Sequence, residues 1–525
     1  MNYKKLINNP WFVLLFNTIA FVLMAWTFPI RFEQNDDATM CMIANGVYSG
    51  TPDGHLVFIN ALYGWLLAGL YMLTKTVEWY SLGFSAMQVM AMTGIVVMVL
   101  GDKEMKSLWK VVFLVVMYVL WARIVIAFQF TTTTGLLCFS GCLALLQSSR
   151  KWRMAGVAAV FVASLLRFEA AAMVGILCAP MYLLKVIKDR KFVYWLAGLL
   201  LLVFAGRFAD GLFYQQQDWA EYRAYNAVRG FINDNPNVGL VGADLPDGVE
   251  EEDWRMLVLF SGDPKVMSLP KMKAIKATIE DRISFRQAVS NMSSLRTFNL
   301  PIALVILAVG FCIVMNCRTD DSRMHGRVYA LVVSLLMFLL LLAYLASGSY
   351  VKHRVFICML FPIAYQIVAC MPVPGRKLTM LSFGVFGLAM ALFLVKPSFV
   401  RKKLDSYKSV NTEKDDFATF QLPLVGDREG WVYLGAFRSQ NLSPFGVKDL
   451  RFHPVAFGWT SGIPFQKGKL ECHRDLVDSD IVYFAPLDEP PMHFVERIEK
   501  NYGIASQLVI VDKNEKYALY KFVSK

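Results

Sequence analysis

The chain predicts an α-helical polytopic membrane protein of about eleven transmembrane helices, followed by a small C-terminal extracytoplasmic α/β or α+β domain. Three observations carry this. Of 525 residues, 56% are hydrophobic and only 18% charged, with mean hydropathy +0.44, and apolar runs near the ~20 residues that cross a bilayer recur along residues 1–395. The connections between those runs are alternately rich and poor in Lys and Arg. Residues 396–525 instead mix strand-like alternation with amphipathic helical spacing.

The apolar runs fall near 11–30, 80–100, 109–128, 131–147, 154–168, 170–187, 192–208, 299–317, 328–346, 354–371 and 378–395. Lys4 and Lys5 before the first run mimic a signal peptide. The run is too long for one, however, and ends in "WTFPIRF" without a small-residue cleavage site, which predicts a retained helix. With the N-terminus inside, the even connections carry Lys103, Lys106 and Lys110; Arg150, Lys151 and Arg153; Lys185, Lys188, Arg190 and Lys191; Arg318, Arg323 and Arg327; and Arg376 and Lys377. The short odd connections carry only Arg31, Lys75, Arg167, Lys352 and Arg354. This bias is the positive-inside pattern and fixes the expected orientation.

Residues 31–79 form the first external loop. Within it 56–73, "LVFINALYGWLLAGLYML", is apolar, but a span there would turn every later basic cluster outward. It is expected to lie at the outer interface, where Tyr63, Trp65 and Tyr71 suit the headgroup region. Residues 37–48 place Met40, Ala44 and Val47 on one helical face behind a capping Asp, and "GTPDG" at 50–54 turns between the two segments. Residues 209–298 predict a large external loop with helices around 216–232 and 269–290. In the tail, "DIVYF" (480–484), "QLVIV" (507–511) and "YALYKF" (517–522) predict strands. "PMHFVERIEKNYG" predicts a helix closed by Gly503, and "DKNE" (512–515) a hairpin turn.

The net charge of +12 suggests nucleic acid at first sight. The basic residues sit between apolar runs, however, and are topology signals, so no nucleic-acid partner is expected. The nine cysteines are scattered, most of them inside apolar runs, without CxxC pairs or zinc spacing. Neither a disulfide framework nor a metal centre built on Cys is supported.

The predicted topology brings unusual chemistry to one face. Asp36 and Asp37 follow the first helix. "LLRFEA" (165–170) puts Arg167 and Glu169 between two apolar runs, and "SGSYVKHRVF" (347–356) puts Lys352, His353 and Arg354 at a helix start. Ionisable groups at a membrane boundary mark a substrate path or pair with one another. Carboxylates from one region and cations from two others make a site where an acid/base could act beside a bound phosphate. Each piece also has an ordinary structural role: an Asp as helix cap, Arg167 and Glu169 as an ion pair at a turn, Lys352 and Arg354 as snorkelling residues, and His55 as a loop histidine.

The stretch "NDDATMCMIANGVYSGTPDGHLVFINALYGWLLAGLY" resembles the first external loop of the GT-C superfamily of membrane glycosyltransferases, which use polyprenyl-phosphate-linked sugars. "GHLVF" stands roughly where relatives carry a His-Pro-Pro-Leu turn, without those prolines. The "NDD" loop, the "RFE" motif and Asp218-Trp219 through Tyr225-Asn226 resemble poorly characterised bacterial envelope members. The resemblance implies Asp36 or Asp37 as general base, with His55, Arg167, Glu169, Lys352, His353 and Arg354 as substrate-binding residues. It further implies a polyprenyl-phosphate-linked sugar as donor, a glycan or lipid acceptor, and a place in the bacterial cytoplasmic membrane. Some relatives use a divalent cation, and Asp36, Asp37 and Glu169 offer oxygen ligands for Mg or Mn. The lack of a dinucleotide-binding fingerprint fits a lipid-linked donor. A lipid-linked polysaccharide transporter and an O-antigen-type polymerase are the alternatives. Sparse charge within the helices speaks against the first, and the acidic loop against the second.

Overall fold

The computed structural model describes residues 9–33, 35–241, 245–316, 322–348, 350–371 and 412–525. The main helices are Pro10–Thr27 (α1), Asn35–Asn45 (α2), Ala61–Leu73 (α3), Trp79–Gly101 (α4), Ser107–Ile126 (α5), Phe130–Leu145 (α6), Arg150–Leu166 (α7), Phe168–Lys188 (α8), Phe192–Phe213 (α9), Gln217–Asp234 (α10), Glu251–Val258 (α11), Leu269–Arg282 (α12), Phe285–Asn291 (α13), Asn299–Asn316 (α14), Ser322–Gly348 (α15), His353–Ala369 (α16) and Met492–Tyr502 (α17). Seven stretches among the described residues are long and apolar enough to cross a membrane: α1, α4, α5, α8, α9, the continuous Phe285–Asn316, and Arg323–Gly348. Their outward side chains, such as Leu201, Phe204 and Phe208 on α9, are large, apolar and exposed. Water would not tolerate that surface, so the chain is an integral membrane protein. Every predicted apolar run up to residue 371 is helical; the run at 378–395 lies outside the described residues.

α6 forms the centre of the bundle, and all of its side chains are buried. Its sixteen residues rise ~24 Å, and protein rather than lipid surrounds them. Gln129 caps it by accepting from the Thr131 and Thr132 N–H groups at 2.8 and 3.1 Å. Close approach to α7 rests on two facing glycines. A Cβ at Gly141 would meet the Gly156 carbonyl oxygen at 2.9 Å, and one at Gly156 would meet the Gly141 carbonyl oxygen at 2.7 Å. Small residues at such crossings let helix backbones pack where lipid gives no hydrophobic drive. α7 and α8 are joined by one residue, Arg167, in extended conformation (φ −157°, ψ 99°).

The segment after α1 returns to the bundle at once. Arg31–Phe32 (β1) pairs in parallel with Ala127–Phe128 (β2), which closes α5, and the Glu33 N–H donates to the Phe128 carbonyl at 3.0 Å. This anchor sets where α2 begins. α3 has thirteen residues and rises ~20 Å, too little to cross a ~30 Å hydrocarbon layer. In the 209–298 region α10 matches expectation. α11 was not foreseen, and the single helix expected at 269–290 is broken into α12 and α13.

The tail carries a five-stranded sheet: Gly430–Tyr433 (β3), Phe452–Val455 (β4), Val482–Pro486 (β5), Ser506–Lys513 (β6) and Tyr517–Ser524 (β7), in order β4-β3-β5-β7-β6. β3 runs parallel to β4 and β5, while β7 runs antiparallel to β5 and β6. The three strands expected at 480–522 are β5, β6 and β7. The Asn514 N–H donates to the Tyr517 carbonyl at 2.9 Å in the hairpin turn. α17 ends at Gly503, whose φ of +67° is left-handed; glycine adopts that conformation without strain. β3 and β4 were not foreseen.

The tail domain packs firmly on the helical part. Its Lys448 N–H donates to Glu78 at 2.8 Å, His453 Nδ1 donates to the Val47 carbonyl at 3.0 Å, and Lys467 pairs with Asp218 at 2.8 Å. Arg497 on α17 forks onto Asp253 of α11 at 2.7 and 3.0 Å, with both side chains buried. The 31–79 segment, α10, α11 and the tail domain therefore gather at one end of the bundle.

Candidate functional site

At that end lies a cavity of about 860 Å³ lined by Asp36, Arg167, Glu169, Lys352 and Arg354. Five of the eight residues singled out in the sequence therefore share one chamber, although they come from α2, the α7–α8 junction and the start of α16.

The local fold explains each placement. Strand pairing at β1–β2 delivers Asn35 to the bundle, and α2 then points its first turn into the cavity. Asp36 is partly buried, and its carboxylate accepts no hydrogen bond from any described residue. Burial pushes its pKa up from the ordinary carboxylate value, while Arg354, Lys352, Arg167 and Arg229 pull it back. A carboxylate whose pKa is raised in this way is a better proton acceptor than an ordinary one.

Its neighbour has a different position. Asp37 is fully buried, and its Oδ1 accepts from the Tyr80 hydroxyl and from the Phe130 N–H, both at 3.0 Å. Asp37 therefore caps α6 rather than its own helix, and does not line the cavity. Burial, then the adjacent Asp36 charge, holds its pKa well above the usual carboxylate range.

Arg167 owes its position to the one-residue junction. On a continuous helix Arg167 and Glu169 would diverge; here Arg167 Nε lies 3.0 Å from Glu169 Oε2. The guanidinium also stands over the Phe58 and Phe130 rings at 5.8 and 5.6 Å, contacts favourable for a cation. Lys352 caps the start of α16 and bonds both Asp234 oxygens at 3.1 Å. Arg354 lines the cavity without an ion pair to any described residue.

Two of the expected residues are placed elsewhere. His55 is buried, stacks on Trp219 at 4.4 Å, and bonds Asp53 at 2.7 Å and the Phe213 carbonyl at 3.1 Å. Every edge of its ring is occupied by the fold. His353 is exposed, does not line the cavity and meets the Phe298 ring at 4.8 Å. One cavity cation was missed, Arg229 on α10. It is buried, donates to Asn226 at 2.9 Å and Asn233 at 3.0 Å, and faces no carboxylate of the described residues at ion-pair distance. Burial lowers its pKa, but a guanidinium stays charged at neutral pH. The spacing of Asn226, Arg229 and Asn233 on one helical face is the signal that could have revealed it.

The described residues contain no group of three His, Cys, Asp or Glu side chains arranged to hold a metal ion. Asp37, needed for the Mg or Mn set considered above, turns away into the protein. The cavity instead combines a free carboxylate with four cations, two of them already paired with Glu169 and Asp234. That arrangement can accept a proton and stabilise a developing anion at adjacent points.

No family model and no curated protein matches the chain. A solved structure, ArnT from Cupriavidus metallidurans bound to undecaprenyl phosphate, aligns over 97% of this chain and 97% of its own, at 11% identity and a TM-score of 0.39. Likeness that distant assigns nothing, and the chemistry is read from the residues themselves.

Proposed function

We propose that the protein is a GT-C-like glycosyltransferase. It moves a sugar from a polyprenyl-phosphate donor to an envelope glycan or lipid acceptor by a single inverting displacement. One observation carries the reading: the unbonded Asp36 carboxylate opens into the same cavity as Arg167, Arg229, Lys352 and Arg354. In the reaction Asp36 takes the proton of an acceptor hydroxyl, and that oxygen forms the new bond to the anomeric carbon. The bond from that carbon to the phosphate oxygen breaks, and its electron pair leaves with the phosphate. The cations stabilise the charge that grows there; Arg354 and Arg229 face it without carboxylate partners. No covalent sugar–enzyme intermediate forms.

The cavity end faces outward in this reading, with the N-terminus inside and the tail domain outside a bacterial cytoplasmic membrane. The support is the basic bias of the opposite connections. The test is release of free undecaprenyl phosphate from a labelled undecaprenyl-phosphate sugar by the full-length protein in lipid nanodiscs. Asp36→Asn should slow it by ~10²–10⁴ with the protein still folded. Release at the normal rate by that variant would remove the proposed base.

A further inference from the structure

One part of the cavity wall is aromatic, and two of its four rings belong to the tail domain. Phe457 and Trp459 come from the segment after β4, Phe260 from the end of α11, and Phe58 from the loop before α3. These four rings belong to three separate parts of the chain. Thr460, Ser261 and Asn226 place hydroxyl and amide groups among them.

The rings are held rather than merely collected. The Trp459 carbonyl accepts from the Tyr222 hydroxyl at 2.7 Å, and its ring meets Phe58 at 4.9 Å. Val57, just before Phe58, has a φ of +68°, and Phe260 has a φ of +63°. β-branched and aromatic residues rarely adopt that left-handed backbone, and such strain collects where the surroundings impose it for a purpose. Phe260 is also 50% exposed, so a large apolar ring with a left-handed backbone is presented at the cavity surface. Gly458 permits the arrangement: its φ is +89°, and a Cβ there would meet the Phe260 carbonyl oxygen at 3.2 Å.

We infer that this aromatic wall binds the hexose ring of a neutral sugar acceptor, which makes the tail domain the part that selects the acceptor. The inference rests on the cavity being a sugar-transfer site. A hexose presents a face of C–H groups edged by hydroxyls. The negative face of an aromatic ring attracts the C–H groups, and the interspersed hydroxyl and amide groups fix the rim. A prenyl chain would be served as well by aliphatic side chains. Arg229 stands over the Phe260 ring at 5.9 Å and Arg167 over Phe58 at 5.8 Å, so cations border the wall, and the undecaprenyl phosphate titration below separates sugar from phosphate. Asp36 lines the same chamber, where it can reach a hydroxyl of a sugar seated on the rings.

The experiment uses full-length protein in nanodiscs on an array of neutral and acidic hexose oligosaccharides. Titration with the retained glycan follows, and parallel titration with undecaprenyl phosphate. The wild type is expected to retain a neutral oligosaccharide. Phe260→Leu and Trp459→Leu should weaken it about tenfold, leaving undecaprenyl phosphate unchanged, and Phe260→Tyr should bind as the wild type does. Phe260 is half exposed, so its leucine variant reports even if Trp459→Leu misfolds. Retention of no glycan by the wild type, or equal retention by the leucine variants, overturns the inference. So does weakened binding of undecaprenyl phosphate by Phe260→Leu, which would assign the ring to the lipid. Should undecaprenyl phosphate fail to bind the wild type while the glycan pattern holds, the donor reading falls and the sugar-binding wall stands.

Discussion

Asp37 Oδ1 accepts the first backbone N–H of α6, from Phe130, at 3.0 Å, while the carboxylate one residue earlier stays unbonded in the cavity. The two acids that adjoin in sequence are therefore divided between structure and chemistry. Asp37→Asn keeps an oxygen for both donors and should retain most of the transfer activity. Asp37→Ala leaves the Tyr80 hydroxyl and the Phe130 N–H unsatisfied and should cost ~1–3 kcal/mol for each group. Thermal unfolding of both variants beside Asp36→Asn checks the division, and an inactive but stable Asp37→Asn would reverse it.

Asp36 also sets a pH dependence. As base it must be deprotonated, so transfer should rise with pH through a value above the ordinary carboxylate range, because burial raises its pKa. Arg354→Gln removes the cation that lowers it most, so the rise should move to higher pH. The stability effect has the opposite sign. Asp36 and Asp37 are both raised in the folded state. Their stabilisation is present below the unfolded carboxylate values and is lost as pH rises through the folded ones. A pH–rate profile of the wild type and Arg354→Gln decides this; an unmoved acid limb would mean another group limits the rate.

In the proposed reaction Glu169 would compete with the donor phosphate for Arg167. Its side chain is 60% exposed, and an exposed pair contributes only ~0.2–1 kcal/mol. Glu169→Gln should thus barely change the melting temperature and should tighten undecaprenyl phosphate binding by about two- to fivefold. Weaker binding in a direct titration would instead place Glu169 among the groups that hold the substrate.

The buried fork of Arg497 on Asp253 joins the tail domain to α11. Arg497→Met leaves a buried carboxylate unpaired and should cost ~3–5 kcal/mol. Limited proteolysis should then cut between residues 241 and 298 sooner than in the wild type. Unchanged resistance would show that the two parts are held by apolar packing alone.

Orientation can be examined separately from chemistry. Single cysteines introduced at 48–54 and 350–352 should react with a membrane-impermeant reagent added from outside intact cells. Reaction only after the cytoplasm is opened would invert the topology on which the proposed function rests.

The helical part was legible because lipid demands long apolar runs, and because the start of α2, Arg167 and the Lys352–Arg354 stretch stand out as charge against them. Arg229 was not legible: it lies in α10, whose polar and charged residues look like any solvated amphipathic surface, and only its folded neighbours show it buried. β3 and β4 are four residues each, too short to show a period. Asp37 and His55 were read from local context, whereas Tyr80, Phe130, Trp219 and Phe213 decide their surroundings from far along the chain. The aromatic wall depends entirely on such distant meetings, so no local pattern announces it.

The single-residue link at Arg167 restricts chain length as well as placing a cation. A helix advances about 100° per residue, so one inserted or deleted residue there would turn Glu169 and the rest of α8 to another side of the bundle. Surface connections such as Pro246–Gly248 carry no such constraint and can tolerate altered length. Homologous chains should therefore differ in length almost anywhere sooner than between Leu166 and Phe168.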